Sequence, residues 1–182
     1  SDNPSVDVLI RRLGGPTAVD RALESRGLVG IDITAGEDGL QRFYQELQEE
    51  IERFPAAPFP PVTMIRTALP YDPNRATALA AARGLAALAK GTLLGADATA
   101  RLLAVHEAAS TGRARLEAGL APGWKLAHKT GTGPTIAGVD TGTNDIGILT
   151  APDGGRFAVA VLSAGSTASG VDREARIAAV SR

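Results

Sequence analysis

The chain has 182 residues, 44% of them hydrophobic and 21% charged, and a formal net charge of -1. That length and apolar content suffice for a packed core, while near-neutrality without a Lys/Arg block excludes the charge footprint of a nucleic-acid or anionic-membrane binder. The absence of cysteine, two histidines and 4% aromatic residues exclude a disulfide framework and a thiolate zinc site and argue against a base-stacking platform, and no apolar run is long enough to insert into a membrane.

The chain opens Ser1-Asp2-Asn3-Pro4, and an Asn N-cap with Pro at the first helical position predicts a helix. Val6, Leu9, Ile10 and Leu13 recur on its inner face until Gly14-Gly15 ends it. Pro16 opens a second helix with Ala18, Val19, Ala22 and Leu23 on one face, stopped by Gly27. Core packing is the expected role of both.

Gly30-Ile31-Asp32-Ile33 alternates apolar and polar, and Glu37-Asp38-Gly39-Leu40-Gln41 follows. Leu40, Phe43, Tyr44, Leu47, Ile51 and Phe54 form a helical stripe, which on its own makes Glu37 a first-turn acid favoured by the helix dipole. The proline-rich run Pro55–Pro61 predicts an extended, stiff connector, and Asp72-Pro73-Asn74-Arg75 a turn. A buried Ala/Leu helix is expected from Ala76 to Lys90, closed by Gly91. Asp97 reads as the cap of another, with Leu102, Val105, His106 and Ala109 on one face and His106 a packing residue.

After Pro122-Gly123 the pattern turns to strands over 124–128, 144–150 and 157–163, with a hairpin turn at Pro152-Asp153-Gly154-Gly155 and a closing helix from Val171 to Arg182. At the end of the first of these strands stands His128-Lys129-Thr130-Gly131-Thr132-Gly133. An ammonium, hydroxyls and glycines in so few positions offer an anion a positive charge, O–H donors and closely approachable backbone N–H groups. Such a set grips a carboxylate or a developing oxyanion.

Ser1-Asp2-Asn3 leading into a helix, followed far downstream by Lys129-Thr130-Gly131 on a strand, resembles the class A serine β-lactamase family. Glu37-x-x-Leu40-Gln41 matches that family's E-x-x-L-N element, with Gln41 in place of asparagine, and Thr143-Asn144-Asp145-Ile146 resembles the start of its next strand. The resemblance implies an α/β (α+β) fold like that of β-lactamases and penicillin-binding proteins, with a helical domain, an antiparallel sheet and a flanking C-terminal helix. It divides the chain into a helical domain at 1–121, with an Ω-loop region enlarged over about 30–75, and 122–182 as the last three strands and closing helix of the α/β domain. The segment from Leu40 to Leu69 is longer than its counterpart in the family and is expected to cover the site mouth and restrict which substrates enter.

No serine here is followed three residues later by lysine, so the family's S-x-x-K nucleophile motif is missing. The chain is therefore expected to be an incomplete fragment, inactive alone, whose partner is the N-terminal segment carrying S-x-x-K. In the complete enzyme the resemblance gives Ser1, Glu37 and Lys129 catalytic roles in proton relay, deacylation and charge stabilisation. It assigns substrate binding to Asn3, Gln41, Thr130, Gly131, Thr132 and Arg173. It implies a β-lactam substrate, no metal or cofactor, no nucleic-acid partner, a monomer, and a periplasmic or secreted location. A penicillin-binding D,D-peptidase, a serine esterase, or an inactive fold used as a binding module remain alternatives with the same residues.

Overall fold

A computed structural model describes residues 2–54 and 58–182. Helix α1 (Asn3–Arg12) starts where the sequence places it, but its cap is Asp2 rather than Asn3: the Asp2 carboxylate accepts the Ser5 N–H at 3.0 Å. The Ser5 hydroxyl and N–H hold that carboxyl below its usual range. A carboxylate is the stronger acceptor beside the positive end of a helix, and Asn3 becomes the first helical residue instead. Gly14 and Gly15, both at positive φ, turn the chain into α2 (Pro16–Glu24).

Strand β1 (Ile31–Ile33) pairs antiparallel with β2 (Asn74–Ala76), Asp32 lying opposite Arg75 with their side chains 3.0 Å apart. This short ladder is the neck of a long loop, because all of 34–73 lies between its strands. Inside the loop the predicted apolar stripe forms α3 (Glu37–Arg53). The expected proline connector is only partly described, since Pro55, Ala56 and Ala57 lie outside the described residues. Its far end differs from expectation: Pro60 is an extended cap and Pro61 opens a further helix, α4 (Pro61–Ala68). Proline lacks an N–H that the first helical turn does not use, so the same residue that breaks one helix begins the next.

Helix α5 (Ala78–Ala89) is capped by Thr77, whose hydroxyl accepts the Ala80 N–H at 3.1 Å. The cap of α6 (Ala96–Glu107) is Gly95, which leaves Asp97 in the first turn, two residues past the cap position expected of it. A short helix, α7 (Leu116–Gly119), precedes the strands.

The main sheet is antiparallel in the order β3-β6-β7, from β3 (Lys125–Thr132), β6 (Thr143–Thr150) and β7 (Arg156–Val161). A small hairpin of β4 (Thr135–Ile136) and β5 (Val139–Asp140) joins β3 to β6. Pairing of β3 with β6 runs unbroken from Lys125↔Thr150 to Thr132↔Thr143. The strand therefore carries Lys129-Thr130-Gly131 within it, four residues past the predicted end at His128, because β6 keeps supplying partners.

Alternation sorts the two faces of the sheet. Ile146 and Ile148 join Leu85, Leu88 and Leu102 in a core beneath α5 and α6. Asp145, one residue out of phase, faces α7 and accepts the Leu116 N–H at 3.2 Å. Helix α8 (Gly170–Val180), capped by Ser169, packs on α7 and buries Ile177, and Ser181 closes its end by donating to the Leu116 carbonyl at 2.7 Å.

Candidate active site

Strand β3 is an edge strand, so half of its backbone groups have no neighbour in the sheet. Gly133 N–H donates to the Gly142 carbonyl at 2.8 Å, and Thr143 N–H points the other way, to Ser163 O at 2.9 Å. In an antiparallel ladder, bonded and non-bonded pairs alternate, so Thr132↔Thr143 is non-bonded and the Thr132 N–H turns outward from the edge. It is available to an oxyanion.

Side chains alternate as well. Lys129 stands opposite Ile146 on the α5/α6 face, while His128, Thr130 and Thr132 share the α7 face. One cavity of about 710 Å³ brings Asn3 of α1, Glu37 of α3 and Lys129 to Thr132 of β3 to a common surface. Of the other residues singled out from sequence, Gln41 is exposed and does not line this cavity, Arg173 does not reach it, and Ser1 lies outside the described residues.

Glu37 is the first residue of α3, and its position is set by a residue the sequence reading did not single out. Asp7, 5% exposed on α1, accepts the Glu37 N–H at 2.7 Å through one carboxylate oxygen and the Asp38 N–H at 3.1 Å through the other. Gly36 permits this approach, since a Cβ there would lie 2.2 Å from Asp7 Oδ1. Two otherwise unmet helix N–H groups and the dipole are thus answered by one buried carboxylate. The available signal was the spacing: Asp7 is four residues from Asn3, on the same helical face, where a charge needs a partner.

Arg115 is the second such residue. It is 6% exposed, and its guanidinium donates to Thr132 Oγ1 at 2.7 Å, to the Gly131 carbonyl at 3.0 Å and to the Asn144 carbonyl at 2.9 Å, with Glu174 at 3.2 Å. The loop before it comes close because Gly112, at φ 73°, leaves no room for a Cβ beside Thr130, and Thr111 Oγ1 lies 2.9 Å from Thr130 Oγ1. Both site threonines are therefore oriented from behind by the segment 111–115.

Arg173 occupies a different place from the one expected of a substrate anchor. Its Nε donates to Thr143 Oγ1 at 2.9 Å and Nη1 to the Ala168 carbonyl at 2.6 Å, while Nη2 lies 3.2 Å from the buried Asp140. These contacts brace the exit of the β4–β5 hairpin. The guanidinium that reaches the Lys129–Thr132 segment belongs to Arg115.

Beneath the strand, His128 Nδ1 lies 2.8 Å from Asp145 Oδ1, both side chains being almost wholly buried. Burial pushes the Asp145 carboxyl above its ordinary 3.8, against the opposing pull of His128, the Leu116 N–H and Arg115. Burial lowers the His106 imidazole, helped by the charges of Lys129 and His128, as suits a packing residue. A raised carboxyl pKa means that the native state holds the proton to higher pH than the unfolded chain does. The Asp145 contribution to stability is thus greatest below 3.8 and falls as pH rises toward the raised native value. Denaturant titrations of the parent and Asp145→Asn across this acidic window should show their difference in unfolding free energy shrinking as pH rises; a growing difference would reverse the assignment.

The family model of the β-lactamase enzyme family matches residues 1–182. The extended-spectrum β-lactamase PER-1 of Pseudomonas aeruginosa is 30% identical over all 182 residues, which cover 51% of that protein, and β-lactamase CTX-M-25 of Escherichia coli is 32% identical over 82% of this chain and 41% of its own length. Among solved structures, the TLA-1 extended-spectrum β-lactamase superposes with a TM-score of 0.76 at 29% identity, covering 97% of this chain and 55% of that one. A class A β-lactamase from Bacteroides cellulosilyticus superposes at 0.77 with 26% identity, covering 99% and 56%. The chain spans about half the length of the curated relatives it matches.

Proposed function

Because this chain belongs to the class A β-lactamase family, we propose that it forms the substrate-gripping and deacylating part of an enzyme that opens β-lactam rings through a serine acyl-enzyme. The nucleophile comes from the remaining half of the length that its relatives have. The observation that carries this reading is the single cavity shared by Asn3, Glu37 and Lys129 to Thr132.

The serine attacks the lactam carbonyl, and the outward Thr132 N–H, with the N–H of the nucleophile, receives the oxyanion; one such donor is worth about 3–4 kcal/mol. Ser1 passes a proton to the departing ring nitrogen and is replenished by the proton that the attacking serine gives up, and the charge of Lys129 lowers the cost of deprotonating the Ser1 hydroxyl in between. Lys129, Thr130 and Thr132 hold the substrate carboxylate, with Gly131 allowing close approach and Arg115 keeping the Thr132 hydroxyl in place. Asn3 hydrogen-bonds the acyl amide. Glu37 deprotonates the water that releases the product, and Gln41, exposed one turn along α3 and outside the cavity, is assigned no contact with it. Arg173 acts through Asp140 and Thr143 and is assigned no substrate contact. The reading places the enzyme in the periplasm or outside the cell, where the drugs and their cell-wall targets are; among the described residues no helix is long and apolar enough to cross a membrane.

A chromogenic cephalosporin given to the complete enzyme tests this. Sustained turnover is expected, whereas one equivalent of ring opening and a stable adduct would make it a penicillin-binding D,D-peptidase, and no reaction a binding module. Glu37→Ala should leave acylation largely intact and lower steady-state turnover by about 10²–10⁴-fold, the usual worth of a general base. Mass spectrometry should then find the adduct accumulated; unchanged turnover would assign the base elsewhere.

A further inference from the structure

Along β6 the row Ile148, Ile146 faces the core beneath α5 and α6, and the next residue of that row is Asn144. An amide stands where the row would otherwise continue in aliphatics because here it leaves the core and comes out in the cleft, where Asn144 is half-buried. The residue is held at both ends. Its backbone carbonyl accepts Arg115 Nη1 at 2.9 Å, and its side-chain Oδ1 accepts the Ser163 N–H at 2.9 Å. A backbone N–H can only donate, so the amide oxygen is the atom turned to Ser163 and the nitrogen is the atom left over. Among the described residues that Nδ2 meets no acceptor.

Two glycines keep the nitrogen uncovered. Gly131, opposite Asn144 in the ladder, and Gly142 both line the cleft, and a Cβ on either would lie 3.5 Å from Nδ2. Neither has a positive φ, so what the missing side chains give is close approach rather than a turn.

On the proposed function the acceptors of the substrate are already met: the lactam oxygen by the Thr132 N–H, the carboxylate by Lys129, Thr130 and Thr132, the acyl amide by Asn3. The group without a place is the backbone that brings the nucleophile. Two donors that each reach one oxyanion at about 2.9 Å lie within about 5 Å of each other, so that backbone runs alongside Thr132. The α7 face of β3 is closed there by Arg115 and by the loop at Gly112. The open face is that of Gly131, and the donor on it is Asn144.

We infer that Asn144 is a positioning residue for the oxyanion hole: its Nδ2 donates to a main-chain carbonyl of the segment that carries the nucleophilic serine, and so sets the second N–H of the hole beside that of Thr132. The inference rests on the hydrolase reading above and adds to it the point where that segment is held beneath the reacting carbonyl. Asn144 itself touches no substrate.

The test uses the complete parent enzyme, Asn144→Ala and Gly142→Ala. Stopped flow with a chromogenic cephalosporin gives the acylation rate constant and the dissociation constant of the complex that precedes it, and a thermal melt is run beside it. Asn144→Ala removes both contacts of the amide, whereas Gly142→Ala leaves the Ser163 bond in place and sets a methyl group against Nδ2. Acylation should slow by about 10²-fold in the first and about tenfold in the second, the cost of shifting one donor by about 1 Å or less, with the dissociation constant within about twofold of the parent. An Asn144→Ala variant that melts early while Gly142→Ala acylates at the parental rate would make Asn144 a structural link to Ser163 and overturn the inference. Weaker binding of the drug at an unchanged acylation rate constant would make it a substrate contact, which overturns the inference as well and leaves the hydrolase reading standing. A parent that is not acylated at all overturns both.

Discussion

On the proposed function, replacing Asp7 by alanine should turn the complete enzyme from a hydrolase into a trap for its substrate. The variant is expected to open one equivalent of a chromogenic cephalosporin at close to the parental rate and then slow by about 10²-fold or more, because the proposed role of Glu37 lies in the second half-reaction. Asp7 holds the first two N–H groups of α3 through separate oxygens, and with 5% exposure no bulk water replaces it freely. Removing it leaves two N–H donors without their acceptor and takes away one favourable dipole interaction, a loss of about 1–3 kcal/mol in stability. The larger effect is positional, since a 1 Å displacement of the base is worth about 10²-fold in a reaction that depends on alignment. Asp7→Asn keeps one acceptor and should recover part of the deacylation rate. Burst amplitude and steady-state rate, measured beside a thermal melt, separate the two effects: a variant that melts earlier with its burst-to-turnover ratio unchanged would mean that Asp7 supports the fold and not the base.

Asp7 also marks where sequence reasoning stopped. The Lys129-Thr130-Gly131 and Ser1-Asp2-Asn3 motifs are legible because their chemistry is compressed into three adjacent positions. Helices α1 and α5 are legible from an apolar period that holds over their length, although the cap of α1 falls on Asp2 and that of α5 on Thr77. Glu37 supports two readings, first-turn acid and cleft residue, and the structure makes both descriptions fit, since it opens α3 and lines the cavity. What places it lies 30 residues upstream, and nothing in either segment announces the pairing. Helix α4 was hidden for a local reason, its N-terminal Pro61 being the last of a run that reads as extended chain. The docking of Ile65 on Ile136 and Val139, and of Arg66 on Gly165, spans separations that periodicity does not address. Arg173 misled because an arginine at the start of the closing helix fits a substrate anchor as well as it fits a brace; only the position of Asp140 decides between them.

Arg115→Ala is expected to be the most damaging single change outside the residues that touch substrate. Its guanidinium lies where β3, β6 and α8 meet, and it supplies donors to Gly131 O, Asn144 O, Thr132 Oγ1 and Glu174 in one rigid fork. The two carbonyls lie in the β3–β6 ladder, so their loss is partial, and Glu174 is about one-third exposed and regains water. The stability cost is therefore set at about 2–3 kcal/mol, below the 3–5 kcal/mol of a fully buried broken pair. The cost to catalysis is greater. On the proposed function Thr132 offers its N–H to the oxyanion and its hydroxyl to the substrate carboxylate, and a hydroxyl released from Arg115 would rotate away from the pose that serves both. Loss of about 10²–10³-fold in kcat/KM is expected, the worth of one misdirected oxyanion donor, carried by kcat and KM together. Arg115→Lys should not restore it, because one ammonium cannot span three acceptors that a planar fork reaches at once. Steady-state kinetics on Arg115→Ala and Arg115→Lys at a temperature where both remain folded give the answer. A lysine variant with parental kcat/KM would show that charge alone, rather than the fork, holds Thr132 in place.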